Sequence, residues 1–213
     1  MEDKKLTPRE SVELIASMIQ TSKKRIAIAD MRISVMWAVL SVVTAAVFMV
    51  LILTTGNPWY NLIWFAIPVI GFPLTIVMDR RDKDTAEVST YIDRMLGGIW
   101  KIVGYIAIML TIICAIFTIC GYSRSWVAML FYAFIVVGFG AAANGIIYRE
   151  RSYTFGGVFS ILAGFVLIIA ALCDIPLGVV WVIPMYMLCF LLMFVVPAFI
   201  VGRKMKKARD ERA

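Results

Sequence analysis

The chain has 213 residues, of which 62% are hydrophobic, and a mean hydropathy of +0.90. Soluble domains carry roughly 45–50% apolar residues, so this composition argues against a water-soluble fold. The formal charge is +7, and the absence of any histidine removes imidazole acid–base chemistry and His-ligated metals from consideration.

Residues 1–32 are polar and of mixed charge, without an ordered basic region, apolar core and cleavage site. A removed signal peptide is not expected, and the first span should act as an uncleaved signal anchor. Within this segment, "LTPRESVELIASMIQTSKKRI" has the start signals of a helix. Thr7 suits the N-cap, Pro8 the first helical position, and Glu10 can return a hydrogen bond to the cap. Val12, Ile15, Ala16 and Ile19, with Leu14 and Met18 at the margin, make an apolar face. Glu10, Glu13, Ser17, Gln20 and Lys24 fall mostly opposite. This amphipathic helix either rests on the membrane surface or under its own bundle, or docks a cytoplasmic partner or another copy of the chain.

Charged residues are absent from 33–78, 102–123, 125–148, 152–173 and 175–202. A bilayer-crossing helix needs about 20 mainly apolar residues, so the four shorter runs each supply one span. The first run is too long for one helix, and Thr54-Thr55-Gly56-Asn57-Pro58 breaks it near its middle. The expected spans are 34–54, 58–78, 99–120, 126–147, 153–173 and 179–201. Their apolar runs are continuous rather than alternating, which favours helices over a barrel. The expected fold class is therefore all-α, a polytopic six-helix transmembrane bundle over 33–202. A cytoplasmic segment precedes it at 1–32, and a basic tail follows at 203–213. Between spans two and three, "DRRDKDTAEVSTYIDRMLGGIW" has cap spacing at Asp84 and Glu87. Its Val88, Tyr91, Ile92 and Met95 recur at helical intervals, which predicts a short interfacial helix entering span three through Gly97-Gly98.

Lys and Arg set the orientation. Twenty of the 21 fall in segments on one side, and Arg124 alone lies on the other. The positive-inside rule makes both termini cytoplasmic. The +7 charge then reflects topology and attraction to anionic lipids. The tail "RKMKKARDERA" has no aromatics for base stacking, so no nucleic-acid partner is expected. The opposite connections, "TTGNPW", "GYSRSW" and "DIPLG", are tight. Trp59, Trp64, Trp126 and Trp181 fall near one boundary, and Trp37 and Trp100 near the other, as an aromatic belt would.

Intramembrane charges usually mark function. Apart from Lys101 at the inner edge of span three, their absence here weighs against a proton-coupled transporter, a voltage sensor and an intramembrane protease. Ser34, Ser41, Thr44, Thr111, Thr118 and Ser160 read as hydroxyls bonded within or between helices. Asn144 is a candidate for lining a cavity or for an interhelical hydrogen bond. Cys114, Cys120, Cys173 and Cys189 lack metal-ligand spacing. A Cys120–Cys173 disulfide suits an oxidising compartment, though free cysteines packing as small hydrophobes are preferred. Pro68, Pro73, Pro184 and Pro197 interrupt spans two and six and are candidate kinks or a cavity frame. "GFGAAA" at 138–143 fits a dinucleotide fingerprint, but that site needs a preceding strand and an acidic residue about 20 positions on. Glu150 comes too early and Asp174 too late. The glycines instead make a helix-packing face of Gly138, Ala142 and Gly145, expected against Gly156, Ser160 and Gly164 of span five.

Taken together, "LTPRESVELIASMIQTSKKRI", "TTGNPWYNLIWFAIPVIGFPL", "VSTYIDRMLGGIW", "VGFGAAANGII" and "VVPAFIVG" resemble a family of uncharacterised six-span membrane proteins common in Bacteroides-like bacteria. The resemblance covers nearly the whole chain, and its closing segment is less polar here than in that family. It implies a bacterial inner-membrane helical protein and carries over no catalytic residue. The expected function is a non-enzymatic scaffold, sensor or regulatory component without cofactor, in contact with membrane lipids and with a cytoplasmic partner or a homo-oligomer. The alternative is a small carrier or channel for an uncharged, zwitterionic or lipid-like molecule.

Overall fold

The computed structural model describes the backbone of residues 8–84 and 91–210, and most side chains from 31 to 204. Helix α1 (Pro8–Thr55) is followed by a 3₁₀ segment (Pro58–Phe65), α2 (Ala66–Asp84) and α3 (Tyr91–Ile119). After a 3₁₀ turn at Ser123–Trp126 come α4 (Val127–Phe131), a π-helical turn (Tyr132–Val136) and α5 (Val137–Tyr148). Then follow α6 (Arg151–Leu172), α7 (Val179–Phe190), a second π-helical turn (Leu191–Val195) and α8 (Val196–Asp210). No strand occurs among the described residues.

Six of these stretches are long and apolar enough to cross a bilayer: Met31–Thr55, Trp59–Arg81, Arg94–Ile119, Arg124–Tyr148, Arg151–Leu172 and Val179–Lys204. They are called spans one to six. The protein is a multi-pass membrane protein built as an all-α bundle.

The segments ahead of spans one and three run into those spans as helix. α1 is helical from Pro8 to Thr55 without a break, and α3 runs through Gly97-Gly98 to Ile119. No proline or cluster of cap residues separates either pair of segments. Two glycines cost about 1 kcal/mol each in a helix, which long flanking runs of good helix formers absorb. The capping residues Thr7 and Glu87, and the side chains that define the amphipathic face of residues 8–30, lie outside the described residues.

Span one packs on spans two and six, span six on one and five, and span five on four and six. Span three packs on span four. Among the described residues, spans two and three, though consecutive, share no packed face. Spans five and six are the most buried, and span two is the least.

The buried face of span one is Ser34, Ala38, Ser41, Ala45 and Phe48, with Thr44 beside it. The alternating steps of four and three residues make a left-handed packing seam, and its small side chains let the helix approach span six closely. The interior between spans one, two, four and six is filled by touching rings. Trp64 meets Phe48 at 5.2 Å and Tyr186 at 5.4 Å between centroids. Tyr186 stacks on Phe190 at 4.4 Å and meets Phe134 at 6.0 Å. The chain of rings continues through Phe194 to Trp100.

Three tryptophans make contacts between helices: Trp64, Trp100 and Trp37. The Trp37 indole lies over Gly71, where a side chain would collide with the ring. Its Nε1–H donates to Thr75 Oγ1 at 2.9 Å, and Thr75 donates to the Gly71 carbonyl at 2.8 Å. This is a polar tie between spans one and two. A Trp37→Phe, Thr75→Val double-mutant cycle in detergent should give a coupling of about 0.6 kcal/mol, the mean for interhelical hydrogen bonds in membranes. A coupling of zero would remove this contact as an anchor of span two.

Three spans end in the same backbone motif. Gly121, Arg149 and Asp174 take positive φ of 94°, 57° and 55°. The next N–H in each case bonds five residues back: Tyr122 to Phe117 O at 2.8 Å, Glu150 to Gly145 O at 2.9 Å, and Ile175 to Ala170 O at 2.9 Å. These are Schellman caps, which satisfy end carbonyls and normally use glycine at the left-handed position. Asp174→Gly should therefore raise the unfolding free energy by about 0.5 kcal/mol, and Gly121→Ala should lower it by about 1 kcal/mol. Reversible unfolding in mixed micelles would read both.

Candidate functional site at the span five junction

Span five is the helix around which spans four and six are placed, and its small residues divide between the two. A Cβ at Gly157 would run into the Ala142 amide nitrogen and the Gly138 carbonyl oxygen of span four. Gly138 in turn lies against Gly157, Ser160 and Ile161, and Gly145 against the Thr154 backbone. Ala142 is buried in the same contact. Gly164 lies against Phe134 and Ile135. Gly156 points elsewhere, with the Leu192 carbonyl and Met193 of span six where its side chain would be. The expected pairing of Gly156 with span four is corrected by Gly157, one residue along and so about 100° around the helix. Equal spacing of Gly156, Ser160 and Gly164 masked this, because a slightly wide face reaches two neighbours.

Gly140 has a different role from Gly138, two residues before it. It faces span three, where a Cβ would sit in ordinary contact with the Trp100 ring, 3.4 Å from its nearest carbon. The two glycines of "GFG" thus serve two different helices. No nucleotide-binding turn exists there, since Val137–Tyr148 is continuous helix.

Both π-helical turns border span five. In span four, the Phe134 carbonyl within the wide turn accepts a hydrogen bond from Ser160 Oγ at 2.9 Å. A serine buried at 0% exposure thereby gains its partner across the helix interface. In span six, the wide turn at Leu191–Val195 immediately precedes Pro197. Proline lacks an N–H and its ring crowds the carbonyl four residues earlier, so a locally widened turn relieves the clash at Met193. The sequence shows Pro197 but has no signal for the π turn at Tyr132–Val136.

The four span prolines are dispersed. Pro68 is half-buried at the third residue of α2, where the 3₁₀ segment gives way to α-helix. Pro73 and Pro184 sit on the exposed outer surface of the bundle, and Pro197 is fully buried. They do not surround one interior space.

At the end of the bundle nearest the 149–151 turn, Asn144 is fully buried and the Tyr148 and Ser152 hydroxyl oxygens are also enclosed. Beside them Lys204 Nζ contacts Glu150 Oε2 at 2.7 Å, tying the turn between spans four and five to the end of span six. This pair is partly exposed and contributes within about 0–1 kcal/mol. Among the described residues no group of three His, Cys, Asp or Glu residues is placed to hold a metal. All four cysteines are free: Cys114 and Cys189 are buried, and Cys120 and Cys173 are exposed. Comparison with protein-family models, with curated proteins and with solved structures found no match.

Proposed function

We propose that this multi-pass membrane protein is a non-catalytic scaffold or regulatory component of a bacterial inner membrane, working through its cytoplasmic face. The observation that carries the reading is α1. It continues beyond span one as one unbroken helix for residues 8–30, about 35 Å at 1.5 Å per residue. Its sequence alternates an apolar face with a polar one, and 20 of 21 Lys and Arg residues fall in segments on that same side. A helix lying flat on the headgroups would have to bend sharply near residue 31. Continuous helical backbone through that point instead supports a projecting, docking-competent arm. The resemblance to six-span inner-membrane proteins of Bacteroides-like bacteria supports the location.

The interior supports the same reading. A bundle whose centre is filled by stacked rings, and whose prolines lie on different faces, suits a rigid anchor better than a conduit. Deleting residues 1–24 should leave membrane insertion intact and abolish the set of proteins crosslinked in cells to a photoreactive residue near the inner surface. An unchanged crosslinked set would refute the docking role.

A further inference from the structure

We infer that α1 is a dimerisation helix whose occupant is a second copy of this chain, joined in a parallel two-stranded coiled coil from cytoplasm through membrane. The inference rests on the docking reading of α1 and names the partner. Helical backbone is continuous from Pro8 to Thr55. Over that length one heptad phase never slips. Its a positions are Val12, Ile19, Ile26, Ile33, Leu40 and Val47, all aliphatic and all but one β-branched. Its d positions are Ile15, Ser22, Ala29, Met36, Val43 and Val50. An aliphatic a position in six consecutive heptads, with a single polar residue at d, is the pattern of a left-handed supercoil, and β-branched residues at a favour two parallel strands.

The rest of the bundle leaves this seam open at Val43, Val47 and Val50, while Ile33, Met36 and Leu40 are half-buried. Ser34, Ala38, Ser41, Ala45 and Phe48, which pack inward, are the b and f positions of the same heptads. They lie on the opposite side of the helix from a and d. Val43, Val47 and Val50 are 54%, 42% and 61% exposed. Lipid would satisfy those valines alone. It does not account for the same phase continuing in the sequence through Val12, Ile19 and Ile26, ahead of the apolar span. On the helical register the b, c and f positions of that stretch include Glu13, Ser17, Gln20, Thr21 and Lys24, which suit solvent.

A second copy also fits by direction and charge. Two copies in one membrane share an orientation, so their α1 helices can only run parallel. In a parallel pair the g position of one strand meets the following e position of the other. That juxtaposes Arg25 with Asp30 of the second copy, twice by symmetry.

The test uses the full-length protein purified alone in nanodiscs, where no other protein can occupy the helix. Single cysteines replace Ile19, Ile26, Val43 or Val50 on the seam, and Glu13, Ser17, Lys24 or Ala38 off it, in a background with Cys120 and Cys173 changed to Ala. Mild oxidation should give covalent dimers at the seam positions in both halves of the helix, and not at the others. In a FRET assay of dimer affinity, R25D should weaken association about fivefold, since two exposed ion pairs contribute roughly 1 kcal/mol together. Adding D30R should restore it. A monomer at all concentrations, crosslinks without heptad periodicity, or no rescue by the double swap would overturn the proposal. Those results would leave heterologous docking at the same arm standing, because the in-cell crosslinking experiment reads it separately.

Discussion

Gly157→Ala should destabilise the bundle by about 2–3 kcal/mol, the upper part of the range for forcing an extra methyl into a filled interface. The reason is the identity of the atoms in the way. The new Cβ meets the Ala142 amide and the Gly138 carbonyl, which are backbone of span four and cannot swing aside as a side chain can. Relief requires the two spans to separate, which also stretches the Ser160 to Phe134 bond of 2.9 Å. Gly156→Ala should cost a similar amount through span six, because its Cβ meets the Leu192 carbonyl. Gly104→Ala is the control. Nothing lies within 4 Å of a Cβ there, so the better helix propensity of alanine should stabilise by up to about 1 kcal/mol. Unfolding in mixed micelles measures all three. Equal effects at 104 and 157 would show that the span five backbone does not meet span four at Gly157.

The second large effect is expected at Tyr186. Its side chain is 4% exposed and joins rings from spans two, four and six: Trp64, Phe134 and Phe190. Truncating a buried aromatic to alanine typically costs about 3–5 kcal/mol, from lost contacts and the cavity left behind. Tyr186→Ala should fall in that range, because three neighbouring rings on separate helices cannot all collapse inward. Tyr186→Phe removes only the hydroxyl and keeps the ring contacts. That substitution should cost no more than about 1 kcal/mol, within the range for polar contacts between membrane helices. The contrast between the two variants separates ring packing from the contribution of the hydroxyl. A Tyr186→Ala protein as stable as Tyr186→Phe would mean the ring chain does not hold the bundle together.

Both predictions concern interior contacts, and the sequence was legible to different depths there. The small-residue faces of spans four and five were visible because glycine repeated at helical spacing inside a membrane lets two backbones come close. Which of two adjacent glycines met which neighbour was not visible. Gly156 and Gly157 differ by one residue, and the choice depends on where span six lies. The interhelical contacts of Trp37 and Trp64 were hidden for a related reason. Tryptophan near a boundary suits the headgroup region equally well, and only the room beside Gly71 and the position of Tyr186 supply these contacts. The left-handed caps at Arg149 and Asp174 carried no glycine to announce them.

What the sequence determined by itself is the one-dimensional part of the problem. Long charge-free runs dictate helices, because a backbone in lipid must satisfy its own hydrogen bonds. The heptad spacing of α1 is likewise written along one helix. Tertiary structure decided everything that depends on a second helix: the central place of spans five and six, and the split duties of Gly138 and Gly140. The physical reason is that lipid tails are as apolar as leucine, so hydrophobicity inserts a helix without choosing its neighbours. That choice falls to shape, to a few interhelical hydrogen bonds and to the places where two backbones can come close.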